Sequence, residues 1–248
     1  MSEFEVIKES FEVTNKIGNV IRGVIYRPDA ENRTFPTVIF SHGFGSNYRL
    51  LESHGPRYAA NGIACILYDF CGGGMESTSD GSMLEMTVIT EVEDLKTVMD
   101  KVVSLSFVNK DELFLHGESQ GGFVSTMVGV ERKSEVKGLI LWYPAFVIPD
   151  DSKKRFEENV TNVFGIEISP DYDRVAKDIV VSEVQSKYDK PVIIIHGDAD
   201  PVVPVSYAYD AEKNFPDAEL IVLPGAGHGF NEVDSETAIE RSIAFVKK

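Results

Sequence analysis

A serine hydroxyl becomes a nucleophile only when a base takes its proton and a third group orients that base. The stretch Gly117-Glu118-Ser119-Gln120-Gly121 presents a serine in the Gly-x-Ser-x-Gly pattern. An apolar run, Leu113-Phe114-Leu115, precedes it and an apolar-periodic stretch follows. A pentapeptide alone is a weak signal. A strand, a tight turn and a helix start in that order are what turn it into a nucleophile elbow, with Ser119 exposed at the tip. The chain has five histidines that could act as the base: His42, His54, His116, His196 and His228. His116 and His196 close apolar runs and read as space-filling or locally hydrogen-bonded. His54 sits in a helix start with no apparent partner, and His42 belongs to a His-Gly turn and reads as structural. His228 lies in Pro224-Gly225-Ala226-Gly227-His228-Gly229-Phe230, a glycine-flanked loop that can project an imidazole with little steric hindrance. The acid is sought in His196-Gly197-Asp198-Ala199-Asp200-Pro201. Pro201 favours an extended backbone at Asp200, which is preferred. Asp198 competes, but its residue type and place suit capping the turn.

Acyl transfer also needs donors for a tetrahedral oxyanion. The backbone N–H of Gln120, next to the nucleophile, supplies one, and Phe44 in Ser41-His42-Gly43-Phe44 is the best-placed second. Glu118 reads as a polar filler at the variable elbow position. Asp69 with Gly72-Gly73-Gly74 resembles a phosphate cradle only superficially, because neither Gly-rich nucleotide motif is present. It reads as a structural loop bordering the cleft. Cys65 and Cys71 have no ligand set around them, so they read as free thiols in a reducing cytoplasm, and no metal or cofactor is expected.

The elements that must position these residues follow from hydrophobic pattern. Residues 3–26 alternate apolar and polar and suit antiparallel edge strands. Short continuous apolar runs at 37–40, 64–69, 113–115, 138–142, 191–196 and 219–223 read as buried strands. Helical patterns fall between them: residues 50–61, a long amphipathic helix carrying Val88, Val92, Leu95, Met99 and Val102, the stretch after Ser119, and a last helix from about Ser235. Strands alternating with helices imply a mainly parallel sheet covered on both faces, with ligands bound outside the carboxyl ends of the strands. Phe44, Asp69, Ser119, Asp200 and His228 all fall at those ends. Residues 145–188 break the rhythm. They read as an inserted helical cap on a single domain, with helices at 153–164 and 172–184.

The 248 residues carry a net charge of −16. No Lys/Arg cluster is dense enough to neutralise phosphates, so no nucleic-acid partner is expected. The N-terminus has no signal-peptide pattern, and no apolar run is long enough to span a membrane.

With these residues in hand, the chain resembles the α/β-hydrolase family over nearly its whole length. Within it, the chain is similar to small bacterial cinnamoyl/feruloyl esterases, grouped with serine aminopeptidase-like hydrolases. The resemblance rests on Ser41-His42-Gly43-Phe44, Asp69 with its glycine run, Met86-Thr87-Val88, the elbow, His196-Gly197-Asp198-Ala199-Asp200 and Gly225-Ala226-Gly227-His228. The order Ser119, Asp200, His228 is that of the family's triad. The resemblance implies a mainly parallel sheet with N-terminal antiparallel strands, the triad on those three residues, and an oxyanion hole from Phe44 and Gln120. The chain departs from many relatives in having Glu118 and Gly73 where they carry His, and its insertion is shorter. Phe146, Phe156, Phe164 and Tyr172 could line an aromatic acyl pocket or form the core of the cap. The expectation is a cofactor-free cytoplasmic serine esterase, monomer or homodimer, acting on a small-molecule ester, with cinnamoyl/feruloyl esters, as the resemblance implies, or short-chain acyl esters as the substrate class. The alternatives are an aminopeptidase or thioesterase on the same triad, with Asp150, Asp151, Glu157 and Glu158 available to an amine, or a non-catalytic ligand-binding protein.

Overall fold

The computed structural model describes residues 4–248. In chain order the strands are β1 Val6–Thr14, β2 Val20–Pro28, β3 Phe35–Ser41, β4 Ala64–Tyr68, β5 Val108–Glu118, β6 Gly138–Trp142, β7 Asn162–Val163, β8 Ile166–Glu167, β9 Val192–Gly197 and β10 Ala218–Leu223. The helices are α1 His54–Ala60, α2 Val88–Val102, α3 Gln120–Glu131, α4 Ile148–Glu158, α5 Pro170–Ala176, α6 Val181–Gln185, α7 Ser206–Asn214 and α8 Glu232–Val246. Eight strands form one sheet in the order β1-β2-β4-β3-β5-β6-β9-β10. β1 pairs antiparallel with β2, and β2 with β4; every other pairing is parallel. Of the two N-terminal strands, only β1 is an edge.

Alternation along the strands explains why both faces are dry. Ile39, Ile66, Leu115, Leu139, Leu141 and Ile194 point into one core, which α2 and α3 cover. Their neighbours Phe40, Leu67, Phe114, Ile140, Trp142 and Ile195 point into the other, under α1 and α8. A strand buried on both faces has no polar positions to spare, hence the continuous apolar runs in the sequence. α2 buries the expected stripe of Val88, Val92, Leu95, Met99 and Val102. Thr87 and Thr90 bond reciprocally to each other's backbone N–H and fix its start.

Three helix expectations need correction. Residues 50–61 are not continuous: a 3₁₀ turn spans Tyr48–Leu51 and α1 begins at His54. Pro56 then falls in the first turn, where a missing N–H costs nothing. The 153–164 helix starts earlier and stops at Glu158, because Asn159 turns left-handed at φ 54°. The chain continues into the β7–β8 hairpin, with Phe164 and Gly165 at positive φ in its turn. The 172–184 helix is two short ones, α5 and α6, separated by an extended Val180 in the β-branched run Ile179-Val180-Val181.

β3 and β5 are neighbours, although the chain leaves β3 toward β4 and returns on the other side. Their carboxyl ends therefore flank a switch point of the sheet, where a cleft opens.

Candidate active site

β5 enters the elbow and α3 leaves it within one residue, so Ser119 takes φ 52°, ψ −119°. A non-glycine residue there is strained, and the surroundings hold it. Its N–H donates to the Trp142 carbonyl at 3.0 Å, and its own carbonyl accepts from Gly122 and Ala145. Two glycines permit the turn: a Cβ on Gly117 would strike the Gly121 carbonyl, and one on Gly121 the Ser41 carbonyl. Sequence, tight turn and exposed hydroxyl are one linked consequence.

The loops after β9 and β10 meet this serine. His228 Nε2 lies 2.9 Å from Ser119 Oγ. Its Nδ1 lies 2.8 Å from Asp200 Oδ2. The other Asp200 oxygen accepts from the N–H groups of Val202 and Val203 at 2.8 and 2.9 Å. Burial pushes the Asp200 carboxyl up, but hydrogen bonds from His196, His228 and these two amides outweigh it and hold it well below the usual carboxylate range. An ionised acceptor at Nδ1 fixes the tautomer in which Nε2 accepts the Ser119 proton. Asp198, the competing acid, instead takes the Gly225 N–H at 2.6 Å and so anchors the loop that carries His228. His196 is buried under Asp200 with Nε2 2.9 Å from the Val203 carbonyl.

The loop after β3 brings Gly43 against Ser119; a Cβ on Gly43 would lie 3.1 Å from that of Ser119. His42 fixes that loop. Its Nε2 accepts from the Phe70 N–H at 3.1 Å, so its Nδ1 carries the hydrogen and donates to the Gly43 carbonyl at 2.8 Å. Burial lowers the pKa of this ring, consistent with a neutral, structural imidazole. Among the described residues, neither the Phe44 nor the Gln120 N–H has a protein acceptor. Both residues border the cleft beside Ser119. Asp69 accepts from the Tyr48 and Thr78 amides and the Thr78 hydroxyl, which organises the loop below the cleft.

A family model described as serine aminopeptidase, S33, matches residues 32–172, more than half of the 248 residues. The chain belongs to this hydrolase family. A second model, described as TAP-like protein, matches residues 173–245. Est1E from Butyrivibrio proteoclasticus, solved with ferulic acid bound, superposes with a TM-score of 0.83 at 23% identity, covering 96% of this chain and 100% of that one. The α/β hydrolase GrgF from Penicillium sp. sh18 gives 0.80 at 20% identity, covering 97% and 98%. These likenesses establish the α/β-hydrolase fold. The quorum-quenching protein AidA of Acinetobacter baumannii (strain MDR-ZJ06) is 28% identical over 99 residues. That match spans 40% of this chain and only 32% of the relative.

Sequence reasoning missed how the hydrolase fold uses its other buried polar groups. Glu118 is no filler. Its carboxylate accepts from the Tyr143 hydroxyl and lies 3.3 Å from His54 Nε2 and 3.7 Å from His116 Nε2. Burial alone would raise its pKa, but the contacts from His116 and His54 carry it far below the carboxylate range. His54 therefore has a partner, contrary to its sequence reading. The signal available was a glutamate inside an apolar strand end, which is rarely buried unpaired.

The side chain of Gln120 bridges two helices: Nε2 donates to Glu91 at 2.8 Å, and Oε1 accepts from the Tyr172 hydroxyl at 2.5 Å. Burial raises the Glu91 pKa well above the usual carboxylate range. Of the aromatics considered for a pocket, Phe164 and Tyr172 border a cavity at Ser119. Phe146 does not: it is buried against Phe215 in the core. Phe156 lines a separate surface depression with Arg155 and Asn159.

Proposed function

We propose that this chain is a serine carboxylic-ester hydrolase working through an acyl-enzyme. The observation that carries the reading is the unbroken Asp200–His228–Ser119 chain of contacts on a strained elbow, at 2.8 and 2.9 Å. Ser119 Oγ attacks the ester carbonyl while His228 Nε2 takes its proton. The amides of Phe44 and Gln120 hold the oxyanion. Collapse expels the alkoxide, which receives the proton from His228. Water, deprotonated by the same nitrogen, then attacks the acyl-enzyme, and the carboxylic acid leaves as Ser119 regains its proton. Asp200 keeps the imidazole oriented and stabilises its cation. No step calls for a cofactor.

In this reading the chain is one domain, with residues 145–188 serving as a cap over the cleft. The buried free thiols Cys65 and Cys71 suit the reducing cytoplasm. The ferulic acid named for Est1E makes methyl ferulate a fitting probe. The test is hydrolysis of p-nitrophenyl butyrate and methyl ferulate by wild type and Ser119→Ala, with fluorophosphonate labelling of both. Turnover and labelling that vanish together in Ser119→Ala support the reading. Ester turnover that survives the substitution overturns it.

A second reading, an aminopeptidase, has one specific observation in its favour. Of the acidic residues Asp150, Asp151, Glu157 and Glu158, Asp151 borders the cleft at Ser119 and could receive a substrate amine. Asp150 is instead engaged by the Tyr207 hydroxyl. Cleavage of aminoacyl p-nitroanilides faster than p-nitrophenyl esters would favour that reading.

A further inference from the structure

Two cavities open on Ser119, and they differ in size, in charge and in which part of the relay they reach. The larger, about 510 Å³, is walled by Trp142, Tyr143, Phe230 and Glu118 and reaches His228. The smaller, about 60 Å³, runs past Gln120 to Tyr172 between Ile148 and Val163, with both Asp151 and Arg155 on its wall; His228 is not among its walls.

The reaction dictates which end of an ester enters which cavity. The oxyanion must face the Phe44 and Gln120 amides. The leaving oxygen must sit within hydrogen-bond reach of His228 Nε2 to be protonated. The alcohol therefore extends on the His228 side, into the larger cavity. The acyl substituent is left the smaller one, under α4 and α5. A water needs roughly 10–15 Å³ of such space, so the smaller cavity holds about four to six heavy atoms. An acetyl to butyryl group fits there. An octanoyl chain or a cinnamoyl ring does not.

Charge restricts the alcohol. The Glu118 side chain is 12% exposed and forms part of the larger cavity's wall. The Tyr143 hydroxyl and two imidazoles around it stabilise its ionised form. Among the described residues, no Lys or Arg lines that cavity to offset it. An anionic leaving group would enter beside a carboxylate whose partners on that wall are the Tyr143 hydroxyl and the His54 imidazole rather than a Lys or Arg.

The geometry points to short-acyl esters of a larger, uncharged or cationic alcohol as the substrate class, an inference that rests on the acyl-enzyme reading. It runs against the feruloyl expectation drawn from resemblance.

The test begins with labelling by a small fluorophosphonate. If Ser119 is not labelled and no ester turns over, the acyl-enzyme reading fails and this inference with it. With labelling established, p-nitrophenyl acetate, butyrate and octanoate vary the acyl group at constant leaving group. We expect kcat/KM at least about tenfold lower for octanoate. Val163→Ala, which opens the smaller cavity, should raise the octanoate-to-acetate ratio. Octanoate turned over as well as acetate by wild type overturns the acyl assignment while leaving the triad standing. On the alcohol side, phenyl acetate is compared with 4-acetoxybenzoate at low salt. The charged phenol is intrinsically the better leaving group, so turnover about tenfold slower would report charge rather than chemistry. Glu118→Gln should narrow that ratio. A ratio near one in wild type, or one that Glu118→Gln leaves unmoved, overturns the charge assignment.

Discussion

Residues 118 and 119 each sit at the end of a carboxylate–imidazole assembly, and only one assembly sets its imidazole within 2.9 Å of a serine hydroxyl. In Asp200–His228–Ser119 the imidazole has a carboxylate at one nitrogen and a hydroxyl at the other, and its side chain is 18% exposed at the cleft. In the Glu118 assembly, His54 and His116 are 6% and 0% exposed, and both point their Nε2 at the same carboxylate. The other nitrogen of His54 meets a hydroxyl too, but Ser53 Oγ lies 3.5 Å away against 2.9 Å for Ser119, and neither ring nitrogen of His116 has a hydrogen-bond partner among the described residues. Composition is nearly the same in the two. What differs is the second partner of the imidazole and its access to substrate. A third buried carboxylate, Glu91, extends the contrast: burial is the largest influence on it and, together with Asp94, raises its pKa against the Gln120 hydrogen bond.

That contrast can be broken or sharpened by substitution. Removing the nucleophile has the largest effect: Ser119→Ala should cut kcat for p-nitrophenyl butyrate by about 10⁴-fold or more, with folding preserved by circular dichroism. Asp200→Asn keeps the shape but removes the charge that sets the tautomer, and a loss of about 10³–10⁴-fold in kcat is expected. If Glu118→Gln cost as much, the two assemblies would not be functionally distinct.

We expect Glu118→Gln to lower kcat on neutral esters only severalfold and to cost about 1–3 kcal/mol in urea unfolding. Its pH signature has a definite sign. The folded pKa lies below the ordinary 4.5, so its stabilisation is fully present above that value and is lost as pH falls. The wild type should therefore lose stability more steeply than Glu118→Gln below about pH 4.5, as measured by denaturant midpoints.

Glu91 has the opposite sign. The folded protein keeps its proton while the unfolded chain releases it above the ordinary 4.5, so its contribution weakens stability as pH rises. Glu91→Gln should gain on the wild type as pH rises above about 4.5, by up to about 1.4 kcal/mol per pH unit until the folded group ionises. The smallest effect is expected of Asp198→Ala, which frees the Gly225 N–H: about 1 kcal/mol of stability and a few-fold loss of kcat. An Asp198→Ala variant as inactive as Asp200→Asn would reverse the choice between the two acids.

Much of this was legible because each local signal had one physical reading. Uninterrupted apolar runs mean strands buried on both faces, and the stripe from Val88 to Val102 means one helix face. Helix ends in 145–188 were less legible, since Asn159 and Val180 end or interrupt helices by backbone choices that neighbouring packing makes. The partners of Glu118 were hidden for a different reason. His54 is 64 positions away and Tyr143 is 25, and no spacing rule links residues that a sheet and a cross-packed helix bring together.

By itself the sequence determined the doubly covered parallel sheet, the candidate nucleophile and base, and two competing acids, because periodicity and turn chemistry act over a few residues. It also fixed which loops could meet, since ligands gather at the carboxyl ends of such strands. Only the tertiary structure decided that Asp200 rather than Asp198 faces His228, that Phe146 joins the core, and that Glu118 lines the cleft with Tyr143 and His54 as partners. Each depends on distances of a few ångströms between residues far apart in the chain. Burial and electrostatics act over just those distances.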